Sequence, residues 1–210
     1  MRDKDVRGED VRNEDVRKRL GWSSFPVVRG LRSVVAARKT ESSSLTEEPN
    51  VRPLPPMRRK DKAMSGEAVE KVLKSGRVCR LAMITNRGPY LVPLSYGYKD
   101  GMLYFHGARE GRKIDALKTD PRVWFEISTD VSLVKGKDPW SWTMAYRCVM
   151  GEGTAEFVTD AVEKEKALDI LMRQFGSKNH FFPPEEVKKT GIFRVRILAV
   201  SGKRAVRDKT

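Results

Sequence analysis

"GMLYFHGAREGRKIDALKTDP" (Gly101–Pro121) changes its period halfway along. Met102, Tyr104 and His106 alternate with Leu103, Phe105 and Gly107, the period of a strand. Ile114 and Leu117 then stand three apart and Pro121 closes the segment, the signature of a short helix of about Arg109–Lys118. Between the two lies one of only two histidines, followed by Gly111-Arg112-Lys113. Cations are disfavoured in a helix's first turn, where the dipole is already positive. An anion at that turn resolves the conflict. Gly111 lets backbone come close, free N–H groups point outward, Arg112 offers a planar fork and Lys113 a point charge. The competing reading is a solvated surface face of Arg109, Arg112 and Lys113.

Working outward, the same alternation recurs. Asp100-Gly101 makes a tight hairpin with a strand before it, Tyr90–Lys99, whose internal Pro93 demands an edge, a bulge or a ligand. Arg77–Thr85 is a strand turned by Asn86-Arg87-Gly88. Ser65 caps a helix that buries Val69, Val72 and Leu73 and stops at Gly76. Downstream, Arg122–Ser128 and Ser141–Gly151 read as strands, with Glu152–Val158 after them. Asp160–Phe175 reads as a helix with Val162, Leu168, Leu171, Met172 and Phe175 on its apolar face. Asn179–Val187 is a loop and short turn. Gly191–Val206 is a closing strand in which Arg194 and Arg196 form the outer face of an edge. Six or seven mostly sequential strands with few helices predict a mainly β fold: a small antiparallel barrel with peripheral helices.

The charge points to an anionic partner but not to a tail. The 210 residues carry a net charge of +14. Residues 1–56 hold 12 Lys/Arg against 9 Asp/Glu, and residues 57–210 hold 30 against 19, so most of the excess lies in the barrel region. The first 56 residues repeat Asp-Val-Arg every five positions and end in the Ser-, Glu- and Pro-rich "TESSSLTEEPNVRPLPP". They read as a disordered or dispensable extension, with Met57 the expected native start. A transit peptide around Val27–Lys39 is opposed by the acidic repeat before it. Two cysteines and two histidines with no CxxC leave no metal site and no disulfide scaffold, and reducing cytoplasm is the expectation. No apolar run approaches the roughly 20 residues that span a bilayer. A nucleic-acid role lacks a recognisable motif and a basic tail.

Other residues carry two readings each. His106 is either a packed barrel residue or a rim residue beside a ligand. Tyr146-Arg147 sits inside a strand and Arg147 can simply face solvent. Cys148 reads as a buried small hydrophobe. Trp140 and Trp142 flank a loop-to-strand junction and read as packing or dimer contacts rather than a stacking platform.

Together, "MRRKDKAM", "GRVCRLAM", "PYLVPLSYGYKDGMLYFHGAREGRKIDALKTDPRVWFEI", "YRCVMGEGTAEFV" and "VRILAVSGKRA" resemble the pyridoxamine 5'-phosphate oxidase-like flavin-binding split barrels, most of all the subgroup with the nitroimidazole-resistance flavoproteins. The resemblance spans Met57 to Val206. It implies an FMN whose phosphate lies at Gly111, Arg112 and Lys113. Val92, Pro93, Leu94, Ser95, Phe105 and His106 would run along the ribityl chain and ring. It also implies a homodimer in which Tyr146, Arg147 and Cys148 reach across to the partner's cofactor, and a small-molecule substrate beside His106 as catalytic residue.

Two positions depart from the oxidases of that family. Tyr90 and Ser95 stand where those enzymes carry an arginine and a lysine, which argues against vitamin B6 oxidation. The expected function is therefore a cytoplasmic FMN-dependent oxidoreductase acting on a small electron acceptor such as a nitro compound. The alternative is a non-catalytic protein of the same fold that holds flavin, deazaflavin or haem.

Overall fold

The computed structural model of the protein describes residues 54, 56–178 and 180–205. The expectations about the N-terminal extension fall almost wholly outside the described residues, and so does Val206. Among the described residues, four α-helices and seven strands form: α1 (Gly66–Ser75), β1 (Val78–Thr85), β2 (Gly88–Ser95), β3 (Gly97–Lys99), β4 (Met102–Gly107), α2 (Arg112–Thr119), β5 (Arg122–Val134), β6 (Thr143–Val158), α3 (Ala161–Gln174), α4 (Pro184–Lys189) and β7 (Gly191–Ala205).

All strand pairs are antiparallel, in the order β2-β1-β5-β6-β7-β4-β3. β2 and β3 are thus the two edges of the sheet, yet only Tyr96 separates them in the chain. The sheet must curl until its edges meet there, which makes it the split barrel expected. The single strand expected over Tyr90–Lys99 is accordingly two. Tyr96 is the break: its ring is fully buried and its hydroxyl donates to the Leu73 carbonyl at 2.8 Å. Asp100 (φ 48°) and Gly101 (φ 75°) form the expected tight turn between β3 and β4.

Three further expectations are corrected by packing. The strands expected over Ser141–Gly151 and Glu152–Val158 are one 16-residue strand, β6, which starts at Thr143 after a short 3-10 turn of Pro139–Ser141. Its glycines mark close approach rather than a break: a Cβ on Gly151 would lie 2.5 Å from the Ala199 carbonyl, and one on Gly153 2.4 Å from that of Arg196. β7 is interior, not an edge, and Arg194 and Arg196 both pair with Glu156 of β6 at 3.1 Å. The buried face of α3 is Lys164, Ala167 and Leu171, while Val162, Met172 and Phe175 are exposed. Lys164 lays its stem in that interface and donates to the Thr190 carbonyl at 2.9 Å, where α4 ends and a cation is favoured.

The core lies inside the barrel, on the alternate residues Cys79, Leu81 and Met83 of β1, Leu103 and Phe105 of β4, Phe125 and Ile127 of β5, and Phe193 and Val195 of β7. α1 closes one end with Val69, Val72 and Leu73. Gly76 ends α1 with φ −64°, not left-handed; a side chain there would meet the Tyr96 hydroxyl at 2.5 Å and Ile127 at 2.6 Å. No helix among the described residues is long and apolar enough to cross a membrane.

Candidate functional site

α1 and α3 are capped by their own side chains, Ser65 accepting from the Ala68 N–H and Asp160 from the Glu163 N–H. α2 is not. Its N-cap is Gly111, at φ +105°, which has no side chain to offer and leaves open space where one would stand. The first-turn N–H groups therefore remain available, and helix geometry aims them outward. The helix begins at Arg112 rather than Arg109, so Arg112 and Lys113 are its first two residues.

Arg112 is exposed and its guanidinium lies 4.1 Å over the Tyr90 ring. Cation–π stacking of this kind fixes the fork while leaving its N–H edge free. Lys113 is half-buried. Its ammonium sits 5.7 Å over the Phe193 ring and 3.2 Å from where a Cβ on Gly107 would be. Burial lowers its pKa from the ordinary lysine value, because desolvation penalises the charged form. Among the described residues it has no carboxylate or hydrogen-bond partner. A desolvated cation beside uncapped N–H groups is a site arranged for an anion.

The walls beside this turn come from β2 and β4. β2 is an edge strand, which is where a proline can stand in a sheet. Pro93 and Ser95 are exposed, while Val92 and Leu94 turn inward and pack on the core. Phe105 is fully buried and stacks on Phe193 at 4.9 Å, so its side chain belongs to the core and only its backbone borders the site. His106 is exposed at the end of β4, level with Ile192 of β7, and not packed inside the barrel.

Tyr146, Arg147 and Cys148 lie elsewhere. His106 pairs with Ile192, which pairs with Val158 at one end of β6; Tyr146 pairs with Ala205 near the other end. Twelve residues of strand separate Val158 from Tyr146, about 40 Å at 3.3 Å per residue. Arg147 is engaged with Asp130. Cys148 donates to Glu126 at 3.3 Å, and Arg80 donates to the same carboxylate at 2.8 Å. Burial first, then that bond to Glu126, push the Cys148 thiol up to about 11. Burial alone would raise Glu126, but hydrogen bonds from Ser128, Cys148 and Arg80 outweigh it and its pKa is lowered.

Two contributors were not singled out from sequence. Tyr90 was read only as a departure, yet it is the platform for Arg112. Gly107 was read as the end of a strand, yet its missing side chain makes room for Lys113. No group of three or more His, Cys, Asp or Glu converges among the described residues in a way that could hold a metal ion.

Residues 65–204 match the sequence profile of the family described as pyridoxamine 5'-phosphate oxidase. An uncharacterized protein of Rhizobium meliloti (strain 1021) is 33% identical over 67 residues, which span 32% of this chain and 44% of that relative's length. The structure of a candidate 5-nitroimidazole antibiotic resistance protein from Bacteroides thetaiotaomicron superposes with a TM-score of 0.61, at 28% identity, covering 68% of this chain and 86% of that one. The structure of an FAD-binding protein from Mesorhizobium loti superposes with a TM-score of 0.52, at 26% identity, covering 69% and 98%.

Proposed function

Since this chain belongs to the pyridoxamine 5'-phosphate oxidase family, we propose that it is a homodimeric, cytoplasmic FMN-dependent oxidoreductase that reduces a small electron acceptor, with nitro compounds as the substrate class. The observation that carries this reading is Lys113, a half-buried cation without a protein partner at a helix start capped only by glycine. The residues present fit the group. Gly111 leaves open space at the turn, Arg112 is held in place on Tyr90 of β2, and Lys113 reaches the end of β4 beside Gly107.

FMN, when bound, supplies the electron-transfer chemistry. The chain's own residues do the rest. Gly111, Arg112 and Lys113 hold the phosphate through backbone N–H groups and two cations. β2 and the end of β4 orient the ring. His106 is the group that donates a hydrogen bond or a proton to the substrate, a role open to an imidazole.

Homodimerisation is supported by the outer face of the sheet. Val78, Ile84, Leu91, Trp124 and Met150 are exposed there, around the Arg80–Glu126 ion pair. It is supported too by the placement of Tyr146–Cys148, which a single chain holds far from its own His106. The resemblance between this chain and the candidate nitroimidazole-resistance protein supports the substrate class. The test is the double substitution of exposed Arg112→Ala and half-buried Lys113→Ala. A folded dimer that has lost FMN supports the assignment; unchanged FMN occupancy overturns it.

A further inference from the structure

One side of α2 is not taken up by the barrel. Ile114, Ala116 and Leu117 are buried, while Arg112, Asp115 and Thr119, three and four positions apart, form an exposed row along the helix. The β1–β2 turn stands beside this row, and the two enclose a groove of about 570 Å³, the size of a small-ligand site. From the turn, Ile84, Asn86 and Arg87 line it. Thr85 fixes the turn: its hydroxyl donates to the Gly88 carbonyl at 2.8 Å and accepts from the Arg87 N–H at 3.2 Å. The side chains of Asn86 and Arg87 are exposed, and neither has a hydrogen-bond or ion-pair partner among the described residues. Arg112 belongs both to the phosphate turn and to the groove, so the two are continuous. Thr119, seven residues further on, also lines the groove, which follows the helix for about 10 Å.

We infer that this groove takes the adenosine half of a flavin dinucleotide, so that the chain binds FAD more tightly than FMN; the inference rests on the phosphate turn proposed above, which both flavins share. The walls select this occupant. A second phosphate joined to the one at Gly111 meets Arg112 at the groove's mouth, with Arg87 as a further cation inside. Asp115 opposes an acidic tail by its charge. A carboxylate does accept hydrogen bonds from ribose hydroxyls, and it rejects a phosphate placed on them. Ile84, 55% exposed, and Ala116 offer apolar contact to the face of a base. The Asn86 amide carries a donor and an acceptor side by side, the pair that the N6 and N7 edge of adenine requires. FMN ends at its phosphate and leaves Arg87, Asp115 and Asn86 unused.

Isothermal titration calorimetry of the full chain with FAD, FMN and ADP tests it. FAD should bind at least about ten-fold more tightly than FMN, the low end for one added charge-assisted contact. ADP, which has no flavin ring, should compete with FMN for the turn. Arg87→Ala, at an exposed turn position, should weaken FAD and ADP about ten-fold and leave FMN unchanged. Asp115→Asn separates the ribose contact from general electrostatics. It removes a negative charge near the phosphates, so FMN should bind no more weakly, while FAD should lose about ten-fold; a tightening of both flavins would overturn the ribose contact. ADP binding that depends on Arg87, with no uptake of either flavin, would uphold the groove as an adenosine site and sink the flavin reading. FAD and FMN binding equally tightly in the wild type and in both variants would overturn the inference and leave the flavin reading standing.

Discussion

Replacing Lys113 by methionine should stabilise the empty protein and cripple cofactor binding at once. The lysine's stem keeps its place over Phe193 while its charge disappears. In the empty protein that charge is partly desolvated and has no partner among the described residues, so its loss should raise the melting temperature. The sign with pH is fixed by the lowered pKa. The unfolded chain holds the Lys113 proton more tightly than the folded one, so wild-type stability rises with pH toward the ordinary lysine range. The methionine variant's advantage should shrink over that window. With FMN present the order reverses. One charge-assisted contact is worth roughly 1.5–3 kcal/mol, or about 10- to 150-fold in affinity. At FMN 100 times the wild-type Kd, binding stabilises the wild type by about 2.7 kcal/mol. A 30-fold weaker variant gains only about 0.9 kcal/mol from the same ligand. At 2–4 °C per kcal/mol for a domain of this size, the FMN-induced shift falls from about 5–11 °C to about 2–3 °C. Differential scanning fluorimetry with and without FMN reads both effects. A variant less stable when empty, with an undiminished FMN shift, would refute the reasoning.

Other outcomes follow from the same structure. His106→Gln should keep FMN and lower turnover of a nitroaromatic acceptor by roughly 10²-fold in stopped-flow assays of loaded protein; equal rates would remove His106 from the chemistry. Gly76→Ala should cost about 1–3 kcal/mol in urea melts through overpacking against Tyr96 and Ile127, although its φ suits any residue. Gly111→Ala should instead cost about 1 kcal/mol through backbone strain alone, because the space there is open. Gln174→Met should cost about 2–3 kcal/mol. That amide accepts from the Tyr98 N–H and donates to the Leu73 and Gly76 carbonyls, tying α3 to α1 and β3.

Much of the fold was legible because its strands alternate cleanly around tight turns, as at Met102–Gly107 after Asp100-Gly101. The errors share a physical cause: contacts distant in sequence. Nothing local says that Tyr96 leaves the strand to bury its ring under α1, or that Gly151 and Gly153 are small because β7 and Phe125 press on them. The α3 face was misread because its central inward residue is a lysine, whose charge reaches the end of α4 while its stem is buried. Arg194 and Arg196 look like an edge until Glu156 is brought beside them. The anion turn was legible, since Gly-Arg-Lys at a helix start contradicts the dipole locally. Its supports were not: Tyr90 and Gly107 gain their roles only when β2 and β4 converge on α2. Phe105, adjacent in sequence to His106, faces the other way, as strand alternation requires.

The central claim is that the α2 turn holds the phosphate of an FMN. Its most direct test is a titration of FMN into the purified chain, followed by flavin absorbance and fluorescence, beside the Arg112→Ala/Lys113→Ala variant. Saturable uptake of one FMN per chain, lost in the variant while the dimer persists, is the result predicted. A protein that takes up no FMN and shows a Soret band, or a variant that binds FMN as tightly as the wild type, would contradict it.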